Sequence, residues 1–430
     1  MPVIPSPDNR IPERGALPPD RQVFYLPGFD PRVPETYWGL FRREARITAG
    51  RRGLAIAVSD PARSEDGLSL DWEVENGGTR TRYSLLRWDE IVRDRFPLSN
   101  ARRMREVPVL WWRLWRSGYL KRFRKEARRF AAVILGVHVF YLVFALASLA
   151  LAAAAASLLP APWWAQWLVA LPLAYGLLAG LMKLTLGKPL YVAHLVDDTT
   201  FTHAHAAGGE PRMGPRLDAF AERIRAAEGR ASEIVVIGHS SSSFLGIEAL
   251  DRLLARDPGF GTRGTPVSFV SIGSVIPWLG LDPRAEAFRG ALSRFAAATA
   301  VGWLDVRAEW DWLSIHLRNP LVACGLPHPG AGRPAAIRVR VSELIEPELL
   351  GRRKWNLFHL HFQLLMSSRA ADAFDYVALV TGPEPVHEVV ARARAAAPVE
   401  PGDGAPDLRF APPSPARGRE VSAAPDAVLR

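Results

Sequence analysis

The 430-residue chain contains one cysteine, Cys324, which excludes an intrachain disulfide and any zinc site built on paired thiolates. Its first residues, MPVIPSPDNRIPERG, lack the basic start and apolar core of a signal peptide, so the expectation is a protein whose bulk faces the cytosol. A third absence is the most telling. Residues 131–182 include no Asp, Glu, Lys or Arg, and the only ionisable side chains there are His138, Tyr141 and Tyr175. A soluble helix is rarely uncharged on every face for so long. A helix crosses the hydrocarbon core with about 20 apolar residues, so the stretch is long enough for two. The run LPAPWWAQW, residues 159–167, interrupts it with two prolines and three tryptophans, a turn with an interfacial aromatic belt. Two transmembrane helices are therefore expected within 130–184, near 130–158 and 164–182.

Charge is present, but unevenly. Lys and Arg number 54 against 44 Asp and Glu, a net +10. Much of the excess lies just before the apolar stretch, at Arg113, Arg116, Lys121, Arg122, Arg124, Lys125, Arg128 and Arg129. That placement favours membrane lipids over nucleic acid as the partner. Lys183 and Lys188 follow the second helix and the connecting turn is uncharged, so the positive-inside rule expects both termini and the bulk of the chain on the cytoplasmic side of the inner membrane. Trp111, Trp112, Trp115 and Tyr119, interleaved with the arginines, mark residues 111–129 as an amphipathic lead-in lying in the interface.

Elsewhere the pattern is that of an α/β protein. Residues 1–20 and 396–430 are Pro-rich or Pro/Ala/Gly/Arg-rich without periodicity and are expected to be disordered. Short β-branched runs at 23–26, 54–58, 234–237, 267–272, 300–306 and 337–341 alternate with helical segments, which predicts a mainly parallel sheet with helices on both faces. The alternating run SLDWEVENGGTRTRYSLLRW predicts a β-hairpin turning at Asn76-Gly77-Gly78. The sheet domain then has two parts, 21–110 and 185–395, interrupted by the lead-in and the helical hairpin.

One turn carries chemistry. IVVIGHSSSSF, residues 234–244, reads as strand, sharp turn and helix, which makes Ser240 the candidate nucleophile, with Gly238 and Ser242 at the two positions that demand little volume. Ser242 stands where a second glycine is usual. An activated serine needs a base, an acid to orient that base, and donors for the oxyanion, all from loops at the carboxyl ends of strands. Asp311 lies just past the 300–306 strand; Asp305, inside it, and Glu309, close to its end, compete. His361, at the start of FQLLM, is the preferred base and His359 the alternative. The turn LPGF puts Gly28 and Phe29 after the first strand, where the backbone N–H of Phe29 could pair with that of Ser241.

With Ser240, Asp311 and His361 in this order behind successive strands, the chain resembles the α/β-hydrolase superfamily over residues 21–70 and 190–385. It is similar to bacterial membrane proteins that carry a two-helix insertion of this kind. The resemblance implies a serine hydrolase with Ser240 as nucleophile, Asp311 as acid, His361 as base and the Phe29 and Ser241 N–H groups as oxyanion donors. It implies no cofactor, and a substrate containing an acyl ester; anchoring at a leaflet points to a lipophilic one. The chain departs from the family at Ser242 and in having Pro-Gly where many esterases have His-Gly. A catalytically silent domain acting as a membrane scaffold or sensor is the alternative. HLVDDTTFTHAH offers metal-ligand types at His194, Asp197, Asp198, His203 and His205, but no second cluster accompanies it, and it reads as a polar loop leaving the membrane, with no metal expected.

Overall fold

The computed structural model describes residues 20–186, 191–316, 318–327, 330, 333–353, 356–396 and 408. The expected disordered tails therefore fall outside the described residues, apart from Asp20, Ala396 and Leu408, as does Lys188.

Apolar runs form the centre of the molecule. β1 (Arg21–Leu26) is buried along its whole length and is followed by the helix Glu35–Arg52. Three strands then build one edge: β2 (Ile56–Val58), β3 (Ala62–Arg63) and β4 (Ser69–Asn76). β4 turns through Gly77-Gly78 into β5 (Thr79–Leu86), its antiparallel partner. Trp72 and Tyr83 face each other across this hairpin and stack at 4.3 Å, a pair contributing roughly 0.5–1.5 kcal/mol beyond its buried area. The later strands are β6 (Ile234–His239), β7 (Val267–Ile272), β8 (Val301–Arg307) and β9 (Ala335–Arg338).

The nine described strands make one sheet in the order β2-β4-β5-β1-β6-β7-β8-β9, with β3 on β4. From β5 to β9 all neighbours are parallel; β2, β3 and β4 are antiparallel. The fold class is α/β, with a mostly parallel mixed sheet. Alternate residues serve two cores: Phe24, Leu26, Ile234 and Val236 on one face, Val23, Tyr25, Val235 and Ile237 on the other. Each large apolar side chain so buried is worth about 1.5–3 kcal/mol. β1 has β5 on one side and β6 on the other, so the strand order reverses there. A crevice opens beyond the carboxyl ends of strands at such a point.

Between β5 and β6 the chain leaves the sheet. The helices Arg128–Ser157 and Trp163–Leu184 are long and apolar enough to cross a membrane. They meet through small residues, Ala152, Ala156 and Ala170, while Leu142, Leu146, Leu151, Leu168 and Leu171 are each more than half exposed.

The lead-in is longer than expected, two helices at Asn100–Arg116 and Tyr119–Glu126, and its aromatics divide. Trp112 and Trp115 are 55% and 63% exposed, among the eight exposed basic residues. Tyr119 is instead buried and donates to the Trp278 carbonyl at 3.0 Å, and Trp111 is half-buried against His138. Helical periodicity explains the correction. Trp111 falls on the side that carries Val107, Leu110 and Leu114 into the protein, and Tyr119 shares the buried side of the second helix with Phe123.

The segment expected as a polar loop is a buried helix, Val192–Ala206. Each polar side chain finds a different environment. Asp197 accepts from Arg103 Nε and Nη2 at 2.7 and 2.6 Å, His203 Nδ1 meets Asp282 at 2.8 Å, and His205 Nε2 meets Glu248 at 2.7 Å. His194 and Asp198, one turn apart, face a cavity. Among the described residues no three of these groups converge to hold a metal.

Candidate active site

Ser240 follows the last residue of β6 and precedes the helix Ser242–Arg256. Its φ is 56°, a left-handed conformation that a residue with a side chain adopts only when its surroundings hold it there. Two contacts do so: the Ser240 N–H donates to the Ile272 carbonyl of β7 at 2.9 Å, and its carbonyl accepts from Ser243 N–H at 2.9 Å. Strand and helix then run back to back. A Cβ on Gly238 would collide with the Ser242 carbonyl and lie 2.9 Å from Ser243 Cα, which is why the residue two before the serine has no side chain. Ser242 is accommodated because its hydroxyl points away and donates to the Pro27 carbonyl, tying the elbow to the loop after β1.

That loop approaches the serine closely. A Cβ on Gly28 would sit 2.9 Å from Ser240 Cβ and 3.4 Å from Oγ, so glycine is what lets the backbone there approach Ser240. Among the described residues the Phe29 and Ser241 N–H groups have no acceptor, leaving two backbone donors beside Ser240.

The candidate base and acid lie 50 residues apart in the chain. His361 Nδ1 lies 2.7 Å from Asp311 Oδ2, and both side chains are almost fully buried. Asp311 Oδ1 accepts from Leu313 N–H at 2.9 Å, so both carboxylate oxygens are held. The competing carboxylates are engaged elsewhere. Asp305 accepts from Ser271 Oγ at 2.7 Å and Arg307 Nε at 2.8 Å, and Glu309 pairs with Arg338 at 2.6 Å. His359 lines the same cavity as His361, but it is the latter that meets Asp311. His361 Nε2 is buried with no hydrogen-bond partner among the described residues, and Ser240 Oγ likewise makes none. With Nδ1 held by a carboxylate, the free Nε2 is the nitrogen able to accept a proton.

Among the residues around the pair, His194 and Asp198 were read from the sequence only as metal-ligand types. His239 stacks on His361 with ring centroids 4.8 Å apart, its Nδ1 3.2 Å from Tyr25 Oη. Burial, and then the neighbouring His361, hold His239 well below the ordinary imidazole range, so it adds no positive charge beside His361. On the far side, burial pushes His194 down to about 4 and moves the Asp198 carboxyl well above the usual carboxylate range. The i, i+4 spacing of His194 and Asp198 places them on one helix face, a signal the loop reading of this segment passed over.

Gly28, Phe29, His194, Asp198, Ser240 and His361 all border one cavity of about 1250 Å³. Phe130 at the start of the first long helix, Leu195, Val275 and Trp278 give it apolar walls; Arg32, Asn356 and His359 give it polar ones. Arg32 is held there by Asp30 and lies over the Phe362 ring at 4.7 Å. Compared with known protein families, curated proteins and solved structures, the chain matches none.

Proposed function

We propose that the chain is a membrane-anchored serine hydrolase of the α/β-hydrolase type that cleaves an acyl ester of a lipid. The observation that carries this reading is a strained serine and a carboxylate-held histidine on one cavity, with two unpaired backbone N–H groups, of Phe29 and Ser241, beside that serine. Ser240 Oγ attacks the acyl carbonyl as its proton passes to His361 Nε2, and Asp311 stabilises the imidazolium. The oxyanion accepts from Phe29 and Ser241 N–H. Collapse expels the alcohol, which takes the proton from His361; water then attacks the acyl-serine by the same route in reverse.

The mixed lining of the cavity supports an ester with a long acyl part and a polar alcohol part, and its size exceeds the roughly 300–1,000 Å³ of sites for smaller ligands. Phe130 joins the cavity wall to a helix whose outer face is apolar and exposed, which supports entry from a bilayer. The test is purified protein in lipid vesicles, with free fatty acid measured over time. Fatty acid is released by the parent protein and not by Ser240→Ala. Equal release from both would remove the reading.

The reading includes an orientation. The exposed basic residues before the first long helix and Lys183 at the end of the second lie at the cytoplasmic side, and the 158–162 turn outside. The native Cys324 is buried, so introduced cysteines report accessibility. In intact cells Ala161→Cys is modified by an impermeant maleimide and Arg116→Cys only after permeabilisation; the reverse pattern would contradict the orientation.

A further inference from the structure

Asp198 has an environment that the reaction described so far leaves unused. It is buried on the helix Val192–Ala206, yet its side chain borders the cavity that holds Ser240. No Lys or Arg pairs with it among the described residues; the nearby Asp197 takes Arg103 for itself. Its partners are hydroxyls alone. Ser241 Oγ lies 3.4 Å from both carboxylate oxygens, and Thr202 Oγ1 lies 3.4 Å from one. Ser241 is also one of the two residues whose unpaired N–H the serine-hydrolase reading assigns to the oxyanion.

A buried carboxylate with no cation and only long contacts to hydroxyls is costly, whereas the protonated acid needs only hydrogen bonds. Burial accordingly raises the Asp198 carboxyl well above its ordinary range. A carboxylic acid kept protonated in this way has an O–H to offer, which an ionised one lacks.

Resting on the serine-hydrolase reading, we propose that Asp198 is a further catalytic residue, a carboxylic acid that donates a hydrogen bond to the carbonyl oxygen of the acyl substrate at Ser240. When Oγ bonds to the carbonyl carbon, the π pair moves onto this oxygen and the hydrogen bond strengthens; the proton stays on Asp198. When the carbonyl re-forms, the bond to the alcohol oxygen breaks and His361 supplies the alcohol's proton. No net proton passes through Asp198. The role explains why an uncompensated acid borders the cavity, and why the following residue pattern places Thr202 and Ser241 to orient it. The one ionisable group that acts on it by charge is Asp197, itself paired with Arg103 from the helix Asn100–Arg116, while His194, His239 and His361 border the same cavity.

The experiment compares Asp198→Asn, which keeps an N–H donor that does not titrate, with Asp198→Ala, which has none. Vesicle-reconstituted proteins are assayed for ester turnover across pH, and for fluorophosphonate labelling of Ser240. Asp198→Ala lowers kcat by about 10²–10³-fold with KM little changed, the size of effect seen when one oxyanion donor is lost. Asp198→Asn stays within about tenfold of the parent, by the same comparison, and loses the fall in kcat that the parent shows as Asp198 deprotonates at high pH. Unchanged kcat in Asp198→Ala, or equal losses and unaltered pH profiles in both variants, overturns the role while Ser240 labelling and parent turnover persist. Failure of the parent itself to label or turn over overturns the hydrolase reading and this role together.

Discussion

Asp311→Asn lowers ester turnover by about four orders of magnitude without unfolding the protein. The size follows from tautomer control. Asp311 Oδ1 already accepts from Leu313 N–H, so an asparagine there keeps its carbonyl on that donor and turns its NH₂ toward His361 Nδ1. Nδ1 must then accept, and the ring proton moves to Nε2, the atom that has to take the proton from Ser240. Steady-state kinetics of Asp311→Asn beside the parent protein, with circular dichroism to verify folding, is the check. A loss under tenfold would mean that Asp311 does not set the tautomer of the base. Asp305→Asn serves as the comparison, since its carboxylate is bound by Ser271 and Arg307 and has no contact with His361.

The second large effect concerns stability. Arg103 grips both oxygens of Asp197 and also donates to Asn100 Oδ1 at 2.9 Å, with side chains 3% and 0% exposed in the ion pair. Asp197 further accepts from Leu98 N–H at 2.9 Å. This cluster joins the lead-in helix to the helix that carries His194 and Asp198. Arg103→Met strands the buried carboxylate and destabilises the fold by about 3–5 kcal/mol, a large share of a typical total of roughly 5–15 kcal/mol. Replacing both partners, Arg103→Met with Asp197→Leu, recovers most of that loss because no buried charge remains. Unfolding of the detergent-solubilised proteins measures both. Equal destabilisation in the single and double variants would show that packing, and not charge, is at stake.

What was legible in the sequence follows from short-range signals. The β6 strand, the turn at Ser240 and the helix beyond it are contiguous, and their volume demands are written in Gly238 and the run of serines. The β4–β5 hairpin was legible for the same reason, since its turn and alternation sit within one stretch. The two long apolar helices needed only composition, and they end within two residues of the expected bounds.

What failed was long-range. The segment HLVDDTTFTHAH is polar by any hydropathy measure, yet it is a buried helix, because Arg103, Asp282 and Glu248 satisfy its side chains from positions far away in the chain. Polarity marks a loop only when such partners are absent. Tyr119 was placed at the interface through its neighbours in sequence, whereas its helix turns it inward to Trp278. The parallel pairing of β1 with both β5 and β6 could not be read from any single strand, although it forms the crevice where the site lies. Nor could strand order and hydropathy choose between His359 and His361. That choice depends on which imidazole reaches Asp311, a matter of the loops joining β8 and β9 to the following helices.

The central claim is that Ser240 is a nucleophile activated by His361. Reaction of the vesicle-reconstituted protein with a fluorophosphonate, followed by identification of the modified residue, tests it most directly. The account predicts a single adduct on Ser240 that disappears in His361→Ala. An adduct on another residue, or a Ser240 that stays unmodified under conditions that label ordinary serine esterases, would contradict it and leave the domain as a silent membrane-bound scaffold.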